Sequence, residues 1–172
     1  AMKIGLISDT HSCWDDRFEK HFAGCDEIWH AGDIGNPGII SRLRKIAPVR
    51  AVYGNADGGS LRQEFKDIEV FEAEGVKVLL THIGGYPGKY APGIRTQLLR
   101  HKPKLMVCGH SHILKVIPDR MLGTVTINPG AAGMQGWQTV RTLIILSIEA
   151  GSVTGCDIIE LDSAKKGYII TD

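Results

Sequence analysis

Residues 3–11 read Lys3-Ile4-Gly5-Leu6-Ile7-Ser8-Asp9-Thr10-His11, a short apolar run that stops at a carboxylate and an imidazole two positions apart. The run reads as a buried strand, and the segments after it alternate in character: an amphipathic stretch at 15–22, a strand at 27–30, a second amphipathic stretch at 39–46 and a strand at 49–53. Strand and helix in that order predict a parallel sheet with crossover helices, hence a mixed α/β fold class. Beyond Asp57-Gly58-Gly59 the pattern changes. Segments 68–74 and 76–81, hinged at Gly75, predict a tight antiparallel pair, and a helix is expected over 94–101, ahead of Pro103. From there the chain reads as strands at 105–108, 114–117, 124–127, 140–149 and 153–161, the last two joined by the hairpin turn Glu149-Ala150-Gly151-Ser152. No repeat, linker or low-complexity segment interrupts the pattern.

The motif at Asp9 recurs. Asp9, His11, Asp33, Asn55, His82, His110 and His112 each stand just past a short apolar run. In open α/β sheets, ligands bind outside the carboxyl ends of the strands, so this placement gathers distant residues into one cleft. Asp9-Thr10-His11 and His110-Ser111-His112 share a spacing that, in extended backbone, projects both outer side chains to the same side. Carboxylate, imidazole and amide oxygen together suit Mn, Fe, Zn, Co or Ni better than Mg, which prefers oxygen and retained water. No cysteine occupies a ligand-like position, which argues against a structural zinc site. Two cations about 3.5–4 Å apart can clamp an in-line displacement, lower the pKa of a shared water from about 15.7 to about 7 and neutralise a transferred phosphoryl group. The expected chemistry is therefore phosphate-ester hydrolysis. Asp33, midway in the set and close to Gly32 and Gly35, is the candidate bridging carboxylate.

Bulk composition narrows the alternatives. The 172 residues fit one domain, taken as 2–172, with Ala1 set aside as an expression remnant. Twenty basic against nineteen acidic residues leave a net charge of +1, and Phe, Trp and Tyr number only four, three and four, so no nucleic-acid footprint is indicated. Cys13, Cys25, Cys108 and Cys156 are far apart and form no Cys-x-x-Cys pair, which points to a reducing, cytoplasmic setting. The start shows no secretory pattern, no run is long enough for a membrane span, and no membrane partner is expected. Subunit number stays open, a homo-oligomer included.

Taken in order, Asp9-x-His11, Gly32-Asp33, Gly54-Asn55, His82 and Gly109-His110-x-His112 resemble the motifs of the calcineurin-like metallophosphoesterases, most closely their small single-domain bacterial and archaeal branch. The similarity spans about residues 2–161. It implies two mixed sheets packed as a sandwich and flanked by helices, with two divalent cations at the strand ends, Mn first among them. Carried over residue by residue, one ion is held by Asp9, His11, Asp33 and His112, and the other by Asp33, Asn55, His82 and His110. The implied function is a phosphoesterase, a phosphodiesterase before a monoesterase, in which a metal-bridging hydroxide attacks the phosphorus of a small phosphate ester. Asp33, Asn55 and His110 then carry catalysis by positioning metal and phosphate. Two departures stand out. Ala56 replaces the histidine that many members carry after Gly-Asn, which predicts a lower rate and a preference for good leaving groups. In Asn128-Pro129-Gly130-Ala131, alanine replaces a common serine. Asp57 matches the family's acidic residue and is expected to orient its neighbours. The alternative reading is a weak or inactive phosphoesterase-fold scaffold for protein interactions, as the resembling subunit of the eukaryotic retromer complex is.

Other residues receive plainer readings. His30 precedes a strand end and reads as a core or supporting residue, whereas His21, His101, Arg42-Leu43-Arg44-Lys45 and His101-Lys102-Pro103-Lys104 read as solvated helix faces. Gly84-Gly85-Tyr86-Pro87-Gly88 reads either as a loop approaching phosphate or as a plain flexible loop, and Trp137 as a packing or contact residue rather than a cleft cover. Ser111 lacks the glycine pattern of a nucleophile elbow, and no Walker lysine or dinucleotide fingerprint occurs.

Overall fold

Alternate side chains of Met2–Ile7 (β1) face two different layers, and this sets the architecture. Ile4 and Leu6 join a core that also holds Trp29, Val78, Leu80 and Val107, whereas Ile7 packs with Phe18, Phe22 and Leu43 on the other face. Gly5 points the same way as Ile7, and a Cβ there would stand 2.7 Å from the Phe22 ring, so glycine lets the helix lie close to the sheet. The structure, a computed structural model, describes residues 1–135, 140–163, 167–168 and 170–171.

The chain continues through Arg17–Phe22 (α1), Glu27–His30 (β2), Gly38–Arg44 (α2), Val49–Ala51 (β3) and Gly59–Glu64 (α3). Ile68–Ala73 (β4), Val76–Thr81 (β5), Gly85–Tyr86 (β6), Lys89–Tyr90 (β7), Ile94–His101 (α4) and Leu105–Val107 (β8) follow. Lys115–Asp119 (β9), Thr124–Asn128 (β10), Val140–Glu149 (β11) and Ser152–Ser163 (β12) come next. One five-stranded sheet has the order β12-β11-β1-β2-β3 and the other β4-β5-β8-β10-β9. Both are mixed: β1, β2 and β3 run parallel, as do β5, β8 and β10, while β11, β12, β4 and β9 are antiparallel to their neighbours. The predicted α/β class, the sandwich and the flanking helices are all observed. Phe18 of α1 and Ile40 and Leu43 of α2 cover the first sheet, and Ile94 and Leu98 of α4 cover Leu79 and Met106 of the second. Burial on both faces explains why the central strands β1, β2, β5, β8 and β11 read as continuous apolar runs rather than alternating ones.

Several expectations need correction. The helix α3 was not anticipated, because six residues that open with glycine and bury only Leu61 leave almost no periodic signal. The glycine-rich stretch after His82, read as a loop approaching phosphate or as a plain flexible one, forms a small hairpin in which β6 pairs with β7. The first helix starts at Arg17, not at residue 15, since Asp15 turns back to accept the Arg17 backbone N–H at 2.9 Å. β9 runs through Pro118 to Asp119, and its place on the sheet edge makes the missing N–H tolerable. Trp137 lies outside the described residues. Among the described residues, no helix is long and apolar enough to cross a membrane.

Candidate metal centre

Asp9, Asp33 and Asn55 follow β1, β2 and β3 of one sheet, and His82 and His110 follow β5 and β8 of the other. All seven proposed ligands thus meet where the carboxyl ends of parallel strands from both sheets converge. Donor atoms of Asp9, His11 and His112 lie within 4.8 Å of one another, and so do those of Asp33, His82 and His110. Asp33 faces both groups, its Oδ2 standing 3.6 Å from His11 Nε2 and 3.1 Å from His82 Nε2. Asp9 Oδ1 is 3.2 Å from His112 Nε2 and 3.8 Å from both His11 Nε2 and His82 Nε2. Asn55 Oδ1 reaches His110 Nδ1 at 3.1 Å.

The local backbone is not the extended chain that the two-residue spacing implied. Asp9, His11, Asp33, His110 and His112 adopt positive φ of 53°, 43°, 54°, 72° and 64°. Left-handed geometry is costly for residues with a Cβ and persists only where surrounding structure dictates it. Each Asp-x-His or His-x-His segment is a turn folding back over its strand end. One consequence is that His110 and His112 part company and join different groups, instead of serving one site as a pair.

Hydrogen bonds orient the ligands and leave one polar atom each of Asp9, His11 and His82 without a partner. Asp9 Oδ2 accepts the Ser8 hydroxyl at 2.6 Å and the His110 N–H at 3.0 Å, while Asp33 Oδ1 accepts the Ala56 N–H at 2.9 Å. His82 Nδ1 stands 2.7 Å from the Ala31 carbonyl and must donate to it, which places the lone pair of the neutral ring on Nε2. That lone pair points at a carboxylate oxygen, a contact that only a proton or a cation between them makes favourable. Asp9 Oδ1, His11 Nε2 and His82 Nε2 are buried and have no hydrogen-bond partner; among the described residues only Thr126 Oγ1 shares that condition. Three such atoms in one place fit divalent cations, because buried polar groups are otherwise almost always paired.

The electrostatics agree. Burial works against ionisation of Asp33, yet the His82 ring and the Ala56 N–H hold its pKa down at about 2. Asp9 is likewise lowered, burial being outweighed by His112, His82 and Ser8. His82 is raised: burial opposes the charged ring, but Asp33, Asp9 and the Ala31 carbonyl prevail. Asn55, Ala56 and His110 are exposed while Asp9, Asp33 and His82 are buried, so the cluster opens to solvent on the Asn55–His110 side.

Supporting residues fix these positions. The Asp57 carboxylate accepts three backbone N–H groups, from Ile34 at 3.0 Å and from Gly35 and Gly54 at 2.9 Å, and so ties the Asp33 turn to the Asn55 turn. This is the orienting role expected of it. His30, also expected to support rather than bind, is fully buried; its Nδ1 accepts the Gly32 N–H at 3.1 Å and its Nε2 meets Thr10 Oγ1 at 3.0 Å. Thr10 in turn donates to the Ile34 carbonyl. Burial pushes the His30 pKa down to about 4 from an ordinary 6.5. A base held neutral in the folded state gives full stability above pH 6.5 and loses it as pH falls toward about 4, here about 3 kcal/mol in all. In metal-free protein, His30→Gln is expected to flatten the decline in urea stability between pH 7 and 4 relative to the unmodified chain; parallel curves would show that His30 carries none of it.

Sequence reasoning missed the close approach that glycine permits. A Cβ on Gly54 would collide with Asp33 Oδ1 and the Asp33 backbone nitrogen, and one on Gly109 would meet Ser8 Oγ and lie 2.7 Å from Asp9 Oδ2. The signal was present, since Gly32, Gly54 and Gly109 each directly precede a proposed ligand. Ser8 was also missed, and Asn128 was noted only as part of the Asn128-Pro129-Gly130-Ala131 segment; its Nδ2 donates to the Gly109 carbonyl at 3.0 Å and to Ser111 Oγ at 3.1 Å, so Ser111 is part of the scaffold of the turn. Polar residues of this kind carry no sequence signature apart from the contacts they make.

Comparison with known proteins places this geometry in a family. A model of the calcineurin-like phosphoesterase superfamily domain matches residues 2–151. A protein named probable metallophosphoesterase from Methanothermobacter thermautotrophicus is 32% identical over 139 residues, covering 76% of this chain and 77% of its own. A like-named protein from Methanocaldococcus jannaschii is 30% identical over 157 residues, covering 87% and 77%. Among solved structures, zinc-complexed Vps29 from Entamoeba histolytica superposes with a TM-score of 0.72 at 19% identity, over 94% of this chain and all (100%) of that one. A structure described as a novel archaeal phosphodiesterase superposes with a TM-score of 0.69 at 23% identity, over 93% of this chain and 100% of that one. These likenesses carry the fold, and the matched domain together with the archaeal relatives carries the family. The chain belongs to the calcineurin-like phosphoesterase superfamily.

Proposed function

We propose that this chain is a phosphodiesterase working with two divalent cations, Mn before Fe, Zn, Ni or Co. The observation that supports it most is Asp33 Oδ2 within 3.6 Å of a nitrogen in each of two ligand groups whose buried donor atoms have no other partner. One cation would be held by Asp9, His11, Asp33 and His112, the other by Asp33, Asn55, His82 and His110. When bound, such a pair supplies a water of lowered pKa as nucleophile and offsets charge on the phosphoryl oxygens.

The protein's own contribution is orientation. The Ala31 carbonyl fixes the His82 tautomer, the Ala56 N–H and Asp57 fix the Asp33 carboxylate and its turn, and exposed Asn55 and His110 frame the open side where an ester arrives. The cleft beside them includes no Lys or Arg among its described lining residues, and Arg62, which packs on the Tyr53 ring, is engaged by the Asp57 and Asn55 carbonyls. A singly charged diester therefore suits it better than a doubly charged monoester, for which a cationic side chain would be expected. Ala56 offers the leaving group no proton, so activated esters are the favoured substrates. The separate free thiols of Cys13, Cys25, Cys108 and Cys156 support a reducing, cytoplasmic setting.

With excess Mn, Asn55→Ala and His110→Ala are each expected to slow hydrolysis of bis(p-nitrophenyl) phosphate by well over about tenfold, since the metals supply several kcal/mol. Elemental analysis of the unmodified chain should then give two ions per chain. Unchanged rates in both variants would contradict the assignment. A fully loaded protein that turns over no member of a monoester and diester panel would favour the interaction-scaffold reading.

A further inference from the structure

A cleft of about 280 Å³ opens beside Asn55 and His82 and continues between Tyr53, Ile83, Pro92 and Ile94, with Asp67 also on its wall. It lies at the edge where the end of β3 meets the start of β4: the Tyr53 N–H donates to the Lys66 carbonyl at 3.1 Å, joining the two sheets there. The walls are built rather than incidental. The Tyr53 ring is braced by the Arg62 guanidinium, 4.5 Å from its centroid, and Arg62 is itself tied to the Asp57 carbonyl. Ile83, directly after His82, leaves 41% of its surface in water and gives the cleft an apolar wall. The Thr81 hydroxyl is committed to the Asp67 carbonyl at 3.2 Å, and Asp67 is itself an exposed residue of the cleft wall.

Small-molecule pockets usually hold about 300–1,000 Å³, so this one has room for a single ring and not for a chain of rings. Tyr53, Pro92 and the isoleucines favour an apolar ring face. The Asp67 carboxylate repels a second anion and accepts hydrogen bonds from an amine. We propose that this cleft is the subsite for one ester group of the phosphodiester, and that it selects an uncharged or amine-bearing ring while rejecting an anionic one, with Asp67 setting the charge preference. The proposal rests on the phosphodiesterase reading and names the substrate class for it.

The test uses the Mn-loaded full chain and three non-activated diesters as competitors of bis(p-nitrophenyl) phosphate: dimethyl phosphate, methyl phenyl phosphate and methyl 4-carboxyphenyl phosphate. The phenyl ester should inhibit at a concentration at least about tenfold below that of the dimethyl ester, because it buries a ring. The carboxyphenyl ester should bind at least about threefold more weakly than the phenyl ester, an effect that shrinks with added salt. Tyr53→Ala should narrow the first ratio and Asp67→Asn the second; Asp67 is exposed, so its variant retains the fold. Equal inhibition by phenyl and dimethyl esters would overturn the subsite. Should the chain not hydrolyse the reporter at all, the phosphodiesterase reading fails instead. The subsite is then judged by direct titration of the loaded chain with the phenyl and dimethyl esters, equal affinities overturning it.

Discussion

Asp33→Asn is expected to lower phosphodiester hydrolysis by at least about a thousandfold, or about 4 kcal/mol of barrier, and to bring bound metal below two ions per chain. The substitution keeps the size of the side chain and an oxygen for the Ala56 N–H, so the turn itself survives. What it removes is the negative charge that lies 3.6 Å from His11 Nε2 and 3.1 Å from His82 Nε2. With that charge gone, the two nitrogens share only the more distant Asp9 Oδ1, 3.8 Å from each, so the repulsion between two cations held there would be offset less well. Activity and elemental composition measured together decide the matter. A variant that retains two ions and its rate would reduce Asp33 to a structural carboxylate and move the bridging role elsewhere, Asp9 being the nearest candidate.

A loss of a different kind is expected for Asp57→Ala. Three backbone N–H groups, of Ile34, Gly35 and Gly54, lose a charged acceptor at once. The Ile34 and Gly54 donors are buried while Gly35 is exposed; at about 1–3 kcal/mol for each buried donor left without a partner, the sum is about 3–5 kcal/mol. For a chain of this size that lowers the melting temperature by about 10 °C. Because these bonds hold the Asp33 and Asn55 turns together, metal affinity should also fall by about 10–100-fold, as is common when a residue that orients a ligand is lost. Asp57→Asn keeps an acceptor and should fall between the two. Thermal denaturation with and without Mn separates the effects, since a residue that mattered only for folding would leave affinity unchanged in the surviving folded protein.

Much of the fold was legible because strands buried on both faces announce themselves as apolar runs. The β2 and α4 boundaries were read directly, as was the β4–β5 pair about Gly75. What escaped was short or context-made. Helix α3 buries only Leu61, and the β6–β7 hairpin is two residues on each side, so neither has enough pattern to register. The site was legible for a related reason: its residues sit at strand ends, where the apolar run stops and a carboxylate, amide or imidazole begins. The geometry that makes them a site was not. The spacing of Asp9 with His11 and of His110 with His112 suggested extended backbone, but positive φ at all four turns them over the strand ends and sends His110 and His112 to different groups.

The sequence by itself determined which residues could hold cations, and that they would gather at one end of the sheets, because residue type and strand polarity are local properties of the chain. The resemblance of the motifs already divided them into two sets sharing Asp33; only the tertiary structure decided the distances at which the two groups face Asp33, and which three N–H groups Asp57 accepts in joining the turns. Such relations depend on which strands become neighbours across the two sheets, and on backbone torsions imposed by close contacts such as Gly54 against Asp33 and Gly109 against Asp9. No stretch of sequence carries that information alone.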